Sequence, residues 1–303
     1  MSKIESFEME ITTLKRNRRV WVYLPDNYSE KGCGFPVIYM HDGQNLFYDE
    51  LTAYGKAWHV DKCLDDIYAK TGKSCIVVGV ECSKYRMTEY SPWVMSPFPI
   101  HDKRHIPRDS ANRGGEGAKY SEWFATTLKA YVDAHYNTDT KRFATAVAGS
   151  SMGGLISCYI GLNFQTVYET MGLFSSYTDF NRAKFNRFVR NTAQTEPQHA
   201  FVYCGGKEWN DGPRDKRMLT QSGRLYQTLT KRNVICELVV DSEQPHYETA
   251  WEIYFYKFAQ EFIERYYGGK ANDVVEQATD DAIKEISKQV INKNKQAYED
   301  LAK

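Results

Sequence analysis

Phe143-Ala144-Thr145-Ala146-Val147-Ala148-Gly149-Ser150-Ser151-Met152-Gly153-Gly154-Leu155 is the stretch on which the architecture turns. It opens as an apolar run, breaks at G-x-S-x-G, and resumes as a helical run from Leu155 to Leu162. A strand passing through a sharp turn into a helix pushes the central Ser151 hydroxyl above the sheet. Gly149 and Gly153 keep so tight a turn from clashing. The Met152 amide, at the start of the helix, points into the same space and can hold an oxyanion. A bare G-x-S-x-G is common by chance. The strand before it and the helix after it make Ser151 the candidate nucleophile and Ser150 its bystander.

Working outward, short apolar runs alternate with helical ones. Phe7 to Leu14 and Arg19 to Leu24 read as strands, the first alternating and half-buried. Phe35 to Met40, Cys75 to Val80, Phe143 to Ala148, Tyr168 to Phe174, Ala200 to Cys204 and Val234 to Val240 read as further strands. Several of these are continuously apolar, the pattern of strands covered on both faces. Helices are expected over 58–69, 120–136, 155–162, 219–229 and 248–266. This alternation predicts an α/β fold: a mostly parallel central sheet with helices on both faces and antiparallel strands at the N-terminal edge. Residues 1–268 are expected to form one domain. Residues 269–303, set off by Gly268-Gly269, carry Val275, Ala278, Ala282, Ile286 and Val290 at helical spacing. They are expected to be a helical tail that packs on the body, makes a homo-oligomer contact or frays.

Composition narrows the function. The 303 residues carry 39 Lys+Arg against 39 Asp+Glu, which speaks against nucleic acid or an anionic membrane as partner. Hydrophobic residues are 42% and charged residues 26%, the balance of a globular chain with a sizeable core. No run approaches the length of a membrane-spanning helix, and Met1 to Glu8 lacks the apolar stretch of a signal peptide. The seven cysteines are odd in number, scattered, and set partly in apolar runs, as reduced thiols are. A cytoplasmic location is expected.

The base follows by elimination. In folds carrying this motif the partners run in the order Ser, acid, His. Only His199 and His246 follow Ser151. His199 precedes a strand and so sits at the wrong end of the sheet, because ligands gather at strand C-termini. His246 follows Val234 to Val240 through a polar loop, 241–245, and is the candidate general base. The acid must follow a strand and precede His246. After Cys204 come Gly205-Gly206-Lys207-Glu208-Trp209-Asn210-Asp211. Glu208 is the first choice and Asp211 the alternative; Asp241 and Glu243 are too close to His246 to turn back on it. The strand ending at Met40 runs into His41-Asp42-Gly43-Gln44-Asn45, where a second oxyanion donor is expected from the Gln44 amide, with Gly43 allowing the turn. Asp42 is expected to hold the loop rather than react.

Gly149-Ser150-Ser151-Met152-Gly153-Gly154, His41 to Phe47 (HDGQNLF) and Pro245-His246-Tyr247-Glu248-Thr249-Ala250-Trp251 together resemble the putative esterase family of α/β-hydrolases. That family includes esterase D, enterochelin esterases, and the feruloyl and acetylxylan esterases of carbohydrate esterase family 1. The likeness runs over about residues 5 to 267. It implies the α/β-hydrolase fold and, through the likeness of Arg86 to Pro92 to the family's substrate-side loop, substrate contacts at Arg86 and Tyr90. Two departures stand out. The acid turn carries Glu208 where many relatives have Asp, and the oxyanion-loop sequence typical of esterase D is absent, which disfavours S-formylglutathione as substrate.

Trp93, Phe98, Tyr177, Phe180 and Trp209 fall in segments expected to ring the strand C-termini, where they stack on a substrate or simply pack; Trp209 is taken as a substrate contact. Loop 83–118, rich in Pro and Gly, and residues 176–197 are expected to shape the pockets. His101 and His105 stand four apart but among prolines, so no metal site is expected; no cofactor motif occurs either. The expectation is a serine carboxylic-ester hydrolase working through an acyl-enzyme on acetyl, short-acyl or aryl esters of carbohydrates or small molecules. An acyltransferase with the same triad and an inactive binding protein on the same scaffold are the alternatives.

Overall fold

The computed structural model of the protein describes residues 1–52, 55–96 and 113–268. The expected tail over 269–303, Phe98 and the His101/His105 pair lie outside the described residues. The strands are β1 (Lys3–Ile11), β2 (Arg16–Leu24), β3 (Val37–His41), β4 (Ile76–Val80), β5 (Thr145–Ser150), β6 (Thr170–Phe174), β7 (Gln198–Lys207) and β8 (Val234–Pro245). The helices are α1 (Val60–Thr71), α2 (Arg86–Glu89), α3 (Gly117–Trp123), α4 (Lys129–His135), α5 (Met152–Asn163), α6 (Arg182–Asn191), α7 (Gly212–Thr230) and α8 (Glu248–Gly268).

All eight strands form one sheet in the order β1-β2-β4-β3-β5-β6-β7-β8. The β1–β2 and β2–β4 pairs are antiparallel and the rest parallel, so the antiparallel edge falls at the N-terminus as expected. The period-2 alternation of strand side chains divides the core in two. Val37 and Tyr39 of β3 join Trp123, Phe124, Leu155 and Tyr168 on one face. Ile38 and Met40 face the other way, onto Trp58, Trp251, Phe255, Phe258 and Phe262 of the α1/α8 side. Each such aromatic ring, taken fully from water, contributes ~1.5–3 kcal/mol. These continuous apolar strands thus hold the turns at their C-terminal ends in place.

Three expectations change in detail. The helix expected over 120–136 begins at Gly117 and is divided by a wide π turn at Phe124–Leu128. The polar segment 241–245, expected as a loop, belongs to β8, pairing with an equally extended β7 through an irregularity at Gly205/Lys207. Polar residues suit an edge strand with one free side, so composition there imitates a loop. Residues 176–197 contain α6, whose Phe185 and Val189 are buried in the core. That segment therefore sends only its start, Tyr177 and Asp179, to the pocket described below.

Candidate active site

The turn after β5 takes the strained form that the sequence implies. Ser151 has φ 56° and ψ −118°, while Met152 already begins α5. Its backbone is fixed from both sides: the Ser151 N–H donates to the Phe174 carbonyl at 2.9 Å, and its carbonyl accepts from Tyr177 N–H at 2.9 Å. A Cβ on Gly149 would stand 2.9 Å from the Gly153 carbonyl group, so a side chain there would force the elbow open. Strain of this kind costs about 1–3 kcal/mol and persists only where surrounding bonds over-determine it.

The partners come from three strand ends. The His246 ring hydrogen-bonds through Nδ1 to Glu208 Oε2, and the His246 N–H donates to the Glu208 carbonyl at 3.0 Å. The other carboxylate oxygen, Oε1, accepts from Ser175 Oγ and from Gly205 N–H, both at 2.6 Å. Ser175 Oγ in turn accepts from the Trp251 indole N–H at 3.1 Å. Glu208 is 3% exposed and fully engaged, as a buried carboxylate must be. Asp211 is elsewhere: it precedes α7 and pairs with Arg214 at 2.7 Å. Trp209 stacks on the His246 ring, 4.5 Å between centroids and 20° between planes, and Trp251 meets it edge-on at 5.0 Å. Ser175, Trp251 and Asp215, which accepts the Trp209 and Asp211 N–H groups, were not singled out from the sequence. A Trp five residues after the His was the signal available for one of them.

The loop after β3 is clamped to the segment after β4. Asp42, not Gly43, adopts the left-handed conformation, φ 58° and ψ 47°, which Asp tolerates better than most residues. Gly43 is needed instead for close approach, since a Cβ there would lie 2.5 Å from the Gly79 carbonyl oxygen. The Asp42 carboxylate takes two bonds from Arg86, each 2.7 Å, and its N–H donates to Tyr90 Oη at 3.1 Å. The Gln44 side chain accepts from Cys82 N–H at 3.0 Å and donates to Cys82 Sγ at 3.1 Å. Beneath the loop, burial pushes the His41 pKa down to about 3, and its Nδ1 lies 3.0 Å from Tyr120 Oη.

Ser150, Ser151, Met152, Asp42, Gln44, Arg86, His246 and Glu248 share one cavity of about 480 Å³, completed by Tyr177, Trp209, Trp251 and other side chains. One expectation about its walls is corrected. Tyr90 is fully buried and does not line the cavity; its hydroxyl supports Asp42. Of the aromatic residues expected either to stack on a substrate or to pack, Trp93 packs edge-on against Tyr159 and Phe185, and Phe180 is fully buried, so both take the packing role. Aromatic residues beside a cleft and beneath one look alike in sequence. Arg86 lines the cavity, but its guanidinium is held by Asp42. His199 lies at the opposite end of β7, where it lines a separate cavity.

A sheet in this order, with an elbow serine on the fifth strand and an acid–imidazole pair after the last two, defines an α/β-hydrolase. Residues 11–271 match the family described as Putative esterase, and the chain belongs to it and hence to the serine ester hydrolases. It is 23% identical over 217 residues to the uncharacterized protein YbbA of Bacillus subtilis (strain 168), covering 71% of this chain and 79% of that one. Among solved structures it resembles an IroE-like serine hydrolase from Shewanella oneidensis, with TM-score 0.71, 15% identity and 97% and 94% of the two chains covered. It also resembles a ferulic acid esterase, with TM-score 0.63, 17% identity and 87% and 99% covered. Among the described residues no helix is long and apolar enough to cross a membrane.

Proposed function

We propose that the protein hydrolyses carboxylic esters through a covalent acyl-enzyme at Ser151. The observation that carries the reading is His246, held by the buried Glu208, lining the same cavity as the strained Ser151. Ser151 Oγ attacks the ester carbonyl carbon while its proton passes to His246 Nε2. Glu208 holds the imidazole in the tautomer with hydrogen on Nδ1 and favours the imidazolium that forms. The amides of Met152 and Gln44 receive the oxyanion. Collapse breaks the bond to the alcohol, which leaves with the proton from His246. Water then repeats the two steps on the acyl-enzyme and releases the acid. Arg86 serves as a positioning residue, fixing Asp42 and through it the loop carrying Gln44.

A cavity of about 480 Å³ with Trp209, Tyr177 and Met218 on its walls suits acetyl, short-acyl or aryl esters of carbohydrates or small molecules. The likeness to a ferulic acid esterase supports the aryl end of that range. All seven cysteines are unpaired, which supports a reducing, cytoplasmic setting. The test is Ser151→Ala, assayed on p-nitrophenyl acyl esters, methyl ferulate and acetylated xylan beside fluorophosphonate labelling of the wild type. The expected outcome is labelling at Ser151 and a loss of about 10⁶ in kcat. An unlabelled Ser151, or an Ala variant that retains activity, would sink the reading.

A further inference from the structure

Glu248 has no part in the chemistry just described, yet it stands in the cavity. It is the first residue of α8, two positions after His246, and is 2% exposed while lining the same space as Ser151. Among the described residues the hydrogen-bond partner found for its carboxyl group is its own backbone N–H. The carboxylates around it are committed to side chains: Asp42 to Arg86, Glu208 to His246, Asp179 to Arg217 at 3.8 Å. Burying a carboxyl group costs free energy unless a partner compensates. A group with hydrogen-bonding capacity left over, set nine-tenths inside a site, is suited to a ligand that brings the missing partner.

We propose that Glu248 is a specificity-determining residue that binds a hydroxyl group of the ester substrate. This rests on the serine-esterase reading above. The general-base role is already filled, since His246 Nδ1 is occupied by Glu208. Burial pushes the Glu248 carboxyl above its ordinary range, with Asp42 adding to the shift against the pull of its own N–H, His246 and Arg86. A hydroxyl donates to a carboxylate and accepts from a carboxylic acid, so it pairs with either form. The alternative role, a carboxylate that merely favours the positive end of α8, predicts an effect on stability without one on substrate choice.

The experiment compares kcat/KM for glyceryl monoacetate, which carries free hydroxyls, with that for ethyl acetate, which carries none. Wild type, Glu248→Gln and Glu248→Leu are assayed, with Glu248→Ala in place of Leu should the latter fail to fold. The apolar variant is expected to lower the monoacetate-to-ethyl ratio about tenfold, because a site built around a hydrogen bond discriminates through the group left unpaired. The amide, which also donates and accepts, is expected to hold the ratio within about threefold. A ratio unchanged in the folded apolar variant overturns the proposal. So does a loss of kcat/KM in the apolar variant confined to glycine ethyl ester, assayed in parallel, which would assign Glu248 to an ammonium. Failure of the wild type to cleave either ester, with Ser151 unlabelled by fluorophosphonate, is a different result and sinks the esterase reading itself.

Discussion

Replacing Glu208 by Gln tests the site at its most constrained point. The substitution keeps shape and removes charge, and the surroundings dictate how the amide must sit. At the Oε1 position two donors converge, Ser175 Oγ and Gly205 N–H, each at 2.6 Å. Only the amide oxygen satisfies the Gly205 N–H, so the amide NH₂ is turned toward His246 Nδ1. Two N–H groups cannot face each other; the imidazole must shift its proton to Nε2 and present Nδ1 as acceptor. Nε2 then cannot take the Ser151 proton. In serine proteases the equivalent change of acid to amide, a worked case of this tautomer effect, costs about 10⁴-fold in kcat. A fall of about 10³- to 10⁴-fold in kcat/KM is expected here, equivalent to about 4–5.5 kcal/mol at 1.36 kcal/mol per decade. Hydrolysis of p-nitrophenyl acetate measures it, with Asp211→Asn as control because Asp211 pairs with Arg214 instead. A Glu208→Gln enzyme retaining more than a tenth of wild-type kcat/KM, or an Asp211→Asn loss larger than that of Glu208→Gln, would refute the assignment.

Two further outcomes follow from the clamped loop. Arg86→Gln and Asp42→Asn should each lower kcat by about 10- to 100-fold with a smaller change in KM, because they loosen the loop that carries Gln44, the proposed oxyanion donor. Their double variant should lose little more than either alone, and additive losses in that cycle would show that the pair does not act as a unit. Acid should weaken the fold through His41, whose pKa burial pushes down to about 3. Below about pH 6.5 the unfolded chain binds a proton there that the native state refuses, so stability is lost as pH falls toward 3, by up to about 1.4 kcal/mol per pH unit. Denaturant unfolding of His41→Gln beside wild type between pH 6.5 and 4 should show the shallower slope in the variant; parallel slopes would remove His41 as the cause.

What the sequence made legible, and what it did not, divides along the range of the interactions. The elbow was readable because its demands are local: a strand, a helix and two glycines within about one turn of Ser151 force the geometry whatever lies around them. His246 was singled out because chain order left few alternatives, and the structure sets its ring against Glu208 on the cavity that Ser151 lines. Gly43 shows the limit. A glycine in a tight loop suggests a positive φ, but here Asp42 takes that conformation and Gly43 makes room for the Gly79 backbone on the neighbouring strand. Tyr90 shows it again, since a tyrosine in a substrate-side loop reads alike whether its hydroxyl meets a ligand or the Asp42 amide. Ser175 was invisible for the same reason: it joins Trp251 to Glu208 across separate segments, and no spacing in one dimension encodes a bond between β6, β7 and α8. The elbow at Ser151 is therefore specified by its neighbours in the chain, whereas the polar groups gathered around it are specified by the sheet order that brings distant segments together. Substitutions around Ser151 should act through backbone strain, and substitutions at Ser175 or Trp251 through the orientation of Glu208, with the sheet intact in both cases.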